Sequence, residues 1–322
     1  MYLIVTIDTE EDSWGPNYGG KETFLNIERI PALQELFDRH GVTPTYLVTY
    51  PVAASEMAVS ILKGIQDDGR CEIGTHPHAW NTPPVKEPRV EKDTILYNLP
   101  ADLQFEKIHT LHRLIEKNFE KPPTSFRSGR WGMNREGFKV LEKIGYQIDS
   151  SITPYTDWSY ISGPDFSKNS PFPYRVELKD GNGKVGGSAL YEVPPTIGYL
   201  QDNYEVCSSI DRMLSNSFLK YFHIKRFFNT VKILNKVWLS PEVSSVENMV
   251  SLVTRLRRKN VGIINMFFHS QSLYPGLSPF VADELEREYF LCKIEYFLMV
   301  MNEMGVKSIS LSDAAKIIKK TI

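Results

Sequence analysis

Two histidines with one residue between them are the first residues in this sequence that could do chemistry. His76 and His78 follow the short run Glu72-Ile73-Gly74-Thr75, in a chain that has 7 histidines among 322 residues. Alternate residues of an extended segment point the same way, so these two imidazoles could aim at one metal ion. Either histidine alone would more often be a buried structural residue, but the pair favours metal ligation.

An acidic cluster at the end of the first predicted strand could supply the carboxylate that such a site needs. Asp8 and Glu10 share a face if the backbone stays extended. Two histidines and one carboxylate form an open three-ligand site with a position left for water. One acid could therefore bind metal while the other acts as a base. The alternative is that both acids cap the next helix or face the solvent.

Further charged residues follow other predicted strands. Arg127 and Arg130, with Gly129 between them, could orient a carboxylate or bind an anionic part of a substrate, or could make surface salt bridges. His269 ends an apolar strand and is either a core histidine or a general acid that protonates a leaving amine. Asp149 could pair with Arg127 or His269 and so set their charge.

The remaining candidates are residues that could face a substrate. Glu192 could act as Asp149 does, from the next strand. Asn81 is a substitute metal ligand or a partner of one, and Trp80 is a pocket wall or a core residue. Aromatic faces bury the apolar side of a pyranose, so three aromatic residues are candidate sugar platforms or, equally, core: Trp131, Tyr155 and Trp158.

These residues require a framework that brings strand ends together. Apolar strands alternate with amphipathic helices, which predicts βα units and a mostly parallel sheet. The strands are expected near residues 2–7, 43–50, 71–75, 124–127, 146–150, 190–193, 262–269 and 306–311. Eight strands suit a (β/α) barrel, in which the carboxyl ends of the strands meet on one face, and a doubly wound open sheet is the alternative.

The chain contains no obvious linker or internal repeat, so residues 1–322 are predicted to form a single domain. Helical patterns over residues 208–239 and 242–259 predict a helical insertion at about residues 205–260. This insertion could be a lid, an oligomer interface or a membrane-facing surface, but extra helices packed on the barrel are favoured.

Composition narrows the class of protein. With 42% hydrophobic and 24% charged residues, the chain is typical of soluble globular proteins. A net charge of -2 argues against a general nucleic-acid binder. Three scattered cysteines indicate buried, reduced thiols. The first residues do not form a signal peptide and no apolar run could span a bilayer, so a cytoplasmic protein with no transmembrane segment is expected.

Five sequence blocks resemble those of the polysaccharide deacetylases, the NodB-homology enzymes of carbohydrate esterase family 4. The blocks occur in the order of the family and run from residue 6 to residue 269: Thr6-Ile7-Asp8-Thr9-Glu10, Glu72-Ile73-Gly74-Thr75-His76, Phe126-Arg127-Ser128-Gly129-Arg130, Ile148-Asp149-Ser150 and Phe267-Phe268-His269. The motifs Asp-Thr-Glu-Glu and His-x-His-x-Trp-Asn-Thr-Pro-Pro most resemble those of a sub-group linked to bacterial lipopolysaccharide and capsule synthesis.

The resemblance implies a distorted (β/α) barrel of seven or eight mostly parallel strands, of the NodB-homology type. It implies a divalent metal, usually zinc and sometimes cobalt or nickel, and hydrolysis of an N-acetyl or O-acetyl group on a sugar or polysaccharide precursor. By position, Asp8 matches the catalytic base and His76 the first metal histidine. Arg127 matches the arginine that orients the base, and His269 matches the general acid.

The chain departs from the family pattern at three places. Thr9 stands where the family has its metal-binding aspartate, so Glu10 must take that role. Trp80 stands where the second metal histidine is usual, so His78, or else Asn81, must complete the site. Ser128 and the glycine after it replace an Arg-x-Pro motif and precede an extra arginine, which indicates a different, anionic substrate.

The expected function is therefore metal-dependent deacetylation of a sugar in bacterial surface polysaccharide biosynthesis. Two alternatives remain open. The Asp-x-Glu opening would also suit a metal-dependent amidohydrolase acting on a cyclic or small non-sugar amide. The unusual histidine spacing would also suit a catalytically inactive barrel that binds a glycan.

Overall fold

A curled, mostly parallel sheet forms the centre of the protein. The computed structural model describes residues 1–16, 20–85, 90–178, 189–215 and 234–321. In chain order its strands are β1 (Tyr2–Thr9), β2 (Thr45–Val48), β3 (Glu72–Thr75), β4 (Ser125–Phe126), β5 (Ile148–Asp149), β6 (Tyr174–Arg175), β7 (Tyr191–Glu192), β8 (Ile197–Tyr199), β9 (Lys236–Trp238), β10 (Ile263–His269) and β11 (Lys307–Ser308). All eight strands predicted from the sequence are present.

The strand order is β10-β1-β2-β3-β4-β5-β7-β6, with β11 paired to the start of β1. Within this sheet, all strand pairs are parallel except β6 with β7, so the carboxyl ends of the long central strands lie at one edge of the sheet. The register places Asp8 of β1 opposite His269 of β10. Residues far apart in sequence are thus neighbours at this edge.

The curled sheet closes into a distorted barrel through backbone hydrogen bonds that lie outside the paired strands and connect β10 to Thr196 and Leu239. The Thr196 N–H donates to the Asn265 carbonyl of β10 at 3.0 Å, and the Leu239 N–H donates to the Thr196 carbonyl at 2.8 Å. The Phe267 N–H in turn donates to the Leu239 carbonyl at 3.1 Å. The predicted distorted barrel is therefore confirmed, and the doubly wound open sheet is not observed.

Helices surround the sheet: α1 (Ile30–Arg39), α2 (Tyr50–Ala54), α3 (Glu56–Asp67), α4 (Ala101–Phe119), α5 (Arg135–Ile144), α6 (Tyr204–Ser215), α7 (Val246–Arg258), α8 (Glu284–Glu303) and α9 (Asp313–Thr321). Several of these helices begin at a residue whose side chain accepts a backbone hydrogen bond. The Ser245 side chain accepts from the Asn248 N–H at the start of α7, and the Asp283 side chain accepts from the Glu286 N–H at the start of α8. Strand β1 is buried along nearly its whole length because helices cover it outside and side chains fill the barrel inside. None of the helices in the described ranges is both long and apolar enough to cross a membrane.

The predicted insertion at residues 205–260 contains helices α6 and α7, but it is not helical throughout. Lys236–Trp238 form β9, which pairs antiparallel with β8. The prediction of a helix up to residue 239 is therefore wrong at its C-terminal end, because the residues there form a strand whose apolar side chains are buried. Residues 216–233 of this prediction lie outside the described residues.

Candidate active site

Three side chains meet at the carboxyl edge of the sheet. The Oε1 atom of Glu10 lies 3.1 Å from Nε2 of His76 and 3.2 Å from Nε2 of His78. One candidate ligand atom from each residue lies within 4.8 Å of the others, and all three residues are buried. This is the ligand set predicted from the sequence.

Neighbouring groups fix which atom each ligand presents. Nδ1 of His76 lies 2.9 Å from the Arg127 carbonyl, which can only accept, so Nδ1 donates to that carbonyl and Nε2 is the nitrogen that lies beside Glu10. The other carboxylate oxygen of Glu10 accepts from Nε2 of Gln271 at 3.0 Å. The ring of His78 is buried, yet neither of its nitrogens makes a well-aligned hydrogen bond.

The unsatisfied ring of His78 is the observation that favours a metal, because buried polar atoms normally have a partner. Burial lowers the pKa of His78, so the imidazole is neutral, as a ligand must be. Burial alone would raise the pKa of Glu10, but the neighbouring His78 and His76 outweigh it and hold that pKa well below its usual range. The donor set therefore suits a divalent cation.

Two packing features place the His78 ring. A Cβ atom at Gly129 would lie 2.8 Å from the Pro77 carbonyl and 2.9 Å from Nδ1 of His78, so only glycine permits this approach. On the other side, the Trp80 ring packs against His78 with centroids 4.1 Å apart. Trp80 thus supports the histidine two residues before it.

The loop after His78 is held by a buried lysine that the sequence did not point to. Nζ of Lys107, on α4, donates to the carbonyls of Ala79, Thr82 and Pro84, each at 2.8 Å. Its side chain is fully buried. The ammonium therefore fixes the path of the loop that carries Trp80.

Asp8 forms a second group beside the triad. Its Oδ1 accepts from Nη1 of Arg127 at 2.7 Å. The fully buried Arg127 also donates to the Ser150 carbonyl and hydroxyl and to the Thr6 hydroxyl, so its guanidinium is held in one orientation. Burial alone would raise the pKa of Asp8, but the Arg127 charge outweighs it and lowers that pKa, leaving a carboxylate.

His269 forms a third group, paired with a residue that sequence reasoning missed. Its Nε2 lies 3.8 Å from Oδ2 of Asp8, and its Nδ1 lies 3.0 Å from Oε2 of Glu242. The Glu242 carboxylate also accepts from the His269 N–H at 3.0 Å and from the Ser272 hydroxyl at 2.6 Å. Burial would lower the pKa of His269, but the Glu242 charge raises it to about 10. His269 is therefore a protonated donor at neutral pH.

These groups lie at the floor of one cleft of about 1080 Å³. Of the predicted substrate residues, Arg130, Trp131 and Trp80 line it, and so does the candidate platform Trp158. All five tryptophans of the chain line this cleft: Trp14, Trp80, Trp131, Trp158 and Trp238.

Four of the candidate residues do not line the cleft. Asn81 donates from Nδ2 to Oε1 of Glu11 at 2.6 Å instead of completing the triad. Tyr155 packs against Tyr199 and Tyr204. Asp149 and Glu192 are fully buried side by side on β5 and β7 and do not line the cleft.

Asp149 and Glu192 instead form a buried acidic pair. Burial, together with the Asp149 charge, raises the pKa of Glu192 well above its usual range, so Glu192 carries a proton. The Ser151 hydroxyl donates to Asp149 at 2.6 Å. The charge of Arg127 acts in the opposite direction and lowers the pKa of both acids, so the pair interacts electrostatically with the arginine that binds Asp8.

Comparison with known proteins addresses the fold. No family model matches the chain, and no curated protein matches its sequence. Among solved structures, a protein from Parabacteroides distasonis proposed to be a glycoside hydrolase or deacetylase has a TM-score of 0.63 at 11% identity, over 100% of this chain and 72% of that one.

Two further structures are similar. A protein from Mycobacterium smegmatis proposed to be a polysaccharide deacetylase has a TM-score of 0.54 at 15% identity, over 99% of this chain and 91% of that one. A 4-alpha-glucanotransferase from Thermococcus litoralis has a TM-score of 0.55 at 12% identity, over 97% of this chain and 40% of that one. At these identities the similarity shows the fold alone: the chain is a distorted (β/α) barrel like the barrels of these three proteins.

Proposed function

We propose that the chain is a metal-dependent hydrolase that removes an N-acetyl or O-acetyl group from a sugar in bacterial surface polysaccharide biosynthesis. The observation that carries the proposal is the convergence of three groups at one cleft floor. These are the triad around Glu10, the carboxylate of Asp8 and the imidazolium of His269. They derive from β1, β3 and β10, so we infer that the whole chain acts as one catalytic domain.

Glu10, His76 and His78 would hold the metal. Two nitrogen donors and one carboxylate suit zinc best, and cobalt or nickel would accept the same set. When bound there, the cation would acidify a water molecule and polarise the carbonyl of the scissile bond.

Asp8 is the proposed base. Its Oδ1 accepts a hydrogen bond from Arg127. Its Oδ2 lies 3.8 Å from Nε2 of His269, which is too far for a hydrogen bond to that ring. The low pKa of Asp8 keeps it unprotonated and ready to accept a proton from water. Arg127 touches no open part of the cleft and acts by positioning this carboxylate.

His269 is the proposed general acid. Its Nδ1 is bonded to Glu242, so its Nε2–H is directed towards Asp8 and the cleft. Departure of an amine requires a proton, which a charged imidazole in the cleft can supply. Glu242 positions the ring and stabilises its charge.

The test is release of acetate from N-acetylated sugars by the zinc-loaded protein. We expect release to stop on chelation and to return with zinc, and we expect Asp8→Asn and His269→Gln each to lower the rate about 100-fold or more. Undiminished activity in both variants would contradict the assignment. Deacetylation of O-acetylated substrates should fall less in His269→Gln, because an alkoxide is a better leaving group than an amide anion and depends less on a proton from the general acid.

A second candidate rests on Thr9, which separates the two acids. A metal-dependent amidohydrolase acting on a cyclic or small amide would share this Asp-x-Glu opening. Ring opening of a cyclic imide with no acetate released from any sugar would favour it. A well-folded protein that binds no metal would instead favour an inactive glycan-binding barrel.

We also propose a reducing, cytoplasmic location. All three cysteines are free: Cys71 and Cys207 are buried as predicted, whereas Cys292 is exposed on α8. A fractionation experiment with the native chain would test this location directly.

A further inference from the structure

We propose that helix α8 is a contact surface between two copies of this chain, which pack α8 against α8 in antiparallel orientation around Cys292. The feature that carries the proposal is an apolar stripe on the outer face of the helix. The stripe, as we name it, consists of five exposed residues: Leu285, Tyr289, Cys292, Tyr296 and Met299. The inference concerns assembly and does not depend on the proposed catalytic function.

The side chains of the stripe are open to solvent in the single chain. The exposed fraction is 75% for Leu285, 61% for Tyr289, 52% for Tyr296 and 41% for Met299. These are four of the fourteen large hydrophobic residues that are exposed in the described ranges, and no other described helix carries more than two. Such exposure costs hydrophobic free energy, which a partner that covers the stripe would recover.

The opposite face of α8 is already occupied by the barrel. Five of its residues are buried in the main core: Phe290, Ile294, Phe297, Leu298 and Met301. A helix that is apolar on all sides is normally buried on all sides, whereas α8 is buried on one. Helix α4, which has 19 residues against the 20 of α8, has no large hydrophobic residue among its exposed positions. The outer face of α8 is therefore unusual for this protein.

The spacing of the stripe suits a second helix as the partner. Successive members are separated by 4, 3, 4 and 3 residues, the spacing at which side chains form a straight seam that interlocks with another helix. The seam extends over about 21 Å of helix axis. None of the residues that line the described cleft belongs to α8, so pairing along this seam would leave the cleft open.

The order of residues in the stripe is self-complementary, which favours a second copy of this chain over a different protein. Cys292 lies at the centre, with a tyrosine and then a non-aromatic apolar residue on each side. A two-fold axis through Cys292 would place Tyr289 against Tyr296 of the second copy and Leu285 against Met299. An isologous interface requires such a match. The smallest side chain of the stripe then lies where the two helices cross.

Charges beside the stripe favour the antiparallel orientation. Glu288 and Glu295 lie on the same side of α8, and Glu295 binds Arg39 at 3.0 Å. Antiparallel pairing brings Glu288 of one copy to the Arg39–Glu295 pair of the other, so that each arginine would lie between two carboxylates. Parallel pairing would instead direct Glu288 towards Lys293, whose ammonium already donates to the Pro241 carbonyl.

Sedimentation velocity of the full chain under reducing conditions tests the association. We expect a reversible monomer–dimer equilibrium. Tyr289→Glu and Tyr296→Glu should each weaken dimerisation at least about tenfold, because pairing would bury an uncompensated charge. Both side chains are exposed, so the variants should fold, which circular dichroism would verify. Tyr160→Glu is the matched control, since Tyr160 is 71% exposed and lies outside α8.

Disulfide crosslinking tests whether Cys292 lies at the crossing point. Helix axes about 8–10 Å apart bring facing Cα atoms to about 3.5–5.5 Å, which overlaps the range of about 4.4–6.8 Å found in disulfides. Mild oxidation should therefore join two copies through Cys292, because Cys71 and Cys207 are buried. Cys292→Ser should abolish the crosslink and leave the reversible dimer in place.

Cysteines at the two ends of the stripe test the orientation. In the Cys292→Ser background, oxidation of a mixture of Leu285→Cys and Met299→Cys proteins should give a mixed dimer. Two copies of the Leu285 variant alone would hold their thiols about 21 Å apart along the axis and should not crosslink. Efficient crosslinking within that single variant would overturn the antiparallel pairing. A monomer at every concentration up to about 100 μM, far above the Kd of an ordinary specific interface, would overturn the interface itself, as would a dimer that both glutamate variants leave unchanged.

Discussion

Replacing Glu242 by glutamine should lower the pKa of His269 and narrow the pH range in which His269 can donate a proton. In the structure the Glu242 carboxylate accepts from both Nδ1 and the backbone N–H of His269. Glutamine keeps the size of the side chain and one acceptor oxygen but removes the negative charge. The substitution therefore isolates the electrostatic part of the interaction.

The size of the effect follows from the contact. A hydrogen bond to a charged group contributes about 1.5–3 kcal/mol, which corresponds to about 1–2 pKa units. The pKa of His269, raised to about 10, should therefore fall to about 8–9. It should stay above its ordinary value because the Asp8 carboxylate is still 3.8 Å away.

The sign of the kinetic effect is fixed by the role of the acid. A general acid works in its protonated form, so activity is lost as pH rises through its pKa. The alkaline limb of the kcat/KM profile should therefore move to lower pH by about one to two units in Glu242→Gln. Carbon–proton NMR of ring-labelled histidine, assigned with His269→Gln, would measure the same pKa directly.

The matched control is Glu247→Gln, an exposed glutamate near the start of α7 that does not contact His269. It removes the same charge and should leave both the NMR titration and the alkaline limb in place. An alkaline limb that stays unmoved in Glu242→Gln, with the NMR pKa lowered, would show that His269 is not the general acid. An unmoved NMR pKa would refute the electrostatic reasoning itself.

Three further predictions concern the metal site and the buried acid. His76→Ala and His78→Ala should each weaken zinc affinity by more than about tenfold in competitive titration, and full zinc content in the His78 variant would remove it from the ligand set. Gly129→Ala should also weaken zinc binding, because its Cβ would lie 2.9 Å from Nδ1 of His78, whereas Gly64→Ala, with open space around it, should not. Glu192→Gln should raise the free energy of unfolding at about pH 8 more than at about pH 6 in urea titrations. The raised pKa of Glu192 makes its contribution to stability decline, by up to about 1.4 kcal/mol per pH unit, as pH rises above its unfolded value of about 4.3; a parallel pH dependence in both proteins would contradict this.

The sequence was sufficient to predict the barrel and the convergence of Glu10, His76 and His78. The mostly apolar residues at the start of β1 are followed directly by the acids Asp8 and Glu10. A short stretch of sequence therefore indicates both the strand and the charged residues at its carboxyl end. His76 and His78 are separated by one residue, so an extended segment places both imidazoles on the same side. Local periodicity is reliable where the neighbouring residues themselves define the geometry.

The missed and corrected residues depend on contacts between distant segments. Glu242 looked like the first residue of a helix, whereas α7 begins at Val246 and Glu242 turns towards His269. Asp149 and Glu192 end strands as Asp8 and His269 do, but their strands are only two residues long and their side chains do not line the cleft. Position at a strand end does not specify which way a short strand turns its side chain.

The stretch from Lys236 to Glu242 has a consequence for attempts to re-engineer this protein. Within a few residues it carries Trp238, Leu239, whose backbone bonds join the barrel to β10, and the carboxylate that charges His269. Transplanting this stretch to change the substrate of the proposed hydrolase would also alter barrel closure and the acidity of His269. Substrate range and working pH are therefore expected to change together, and libraries that vary Trp238 alone should be the way to uncouple them.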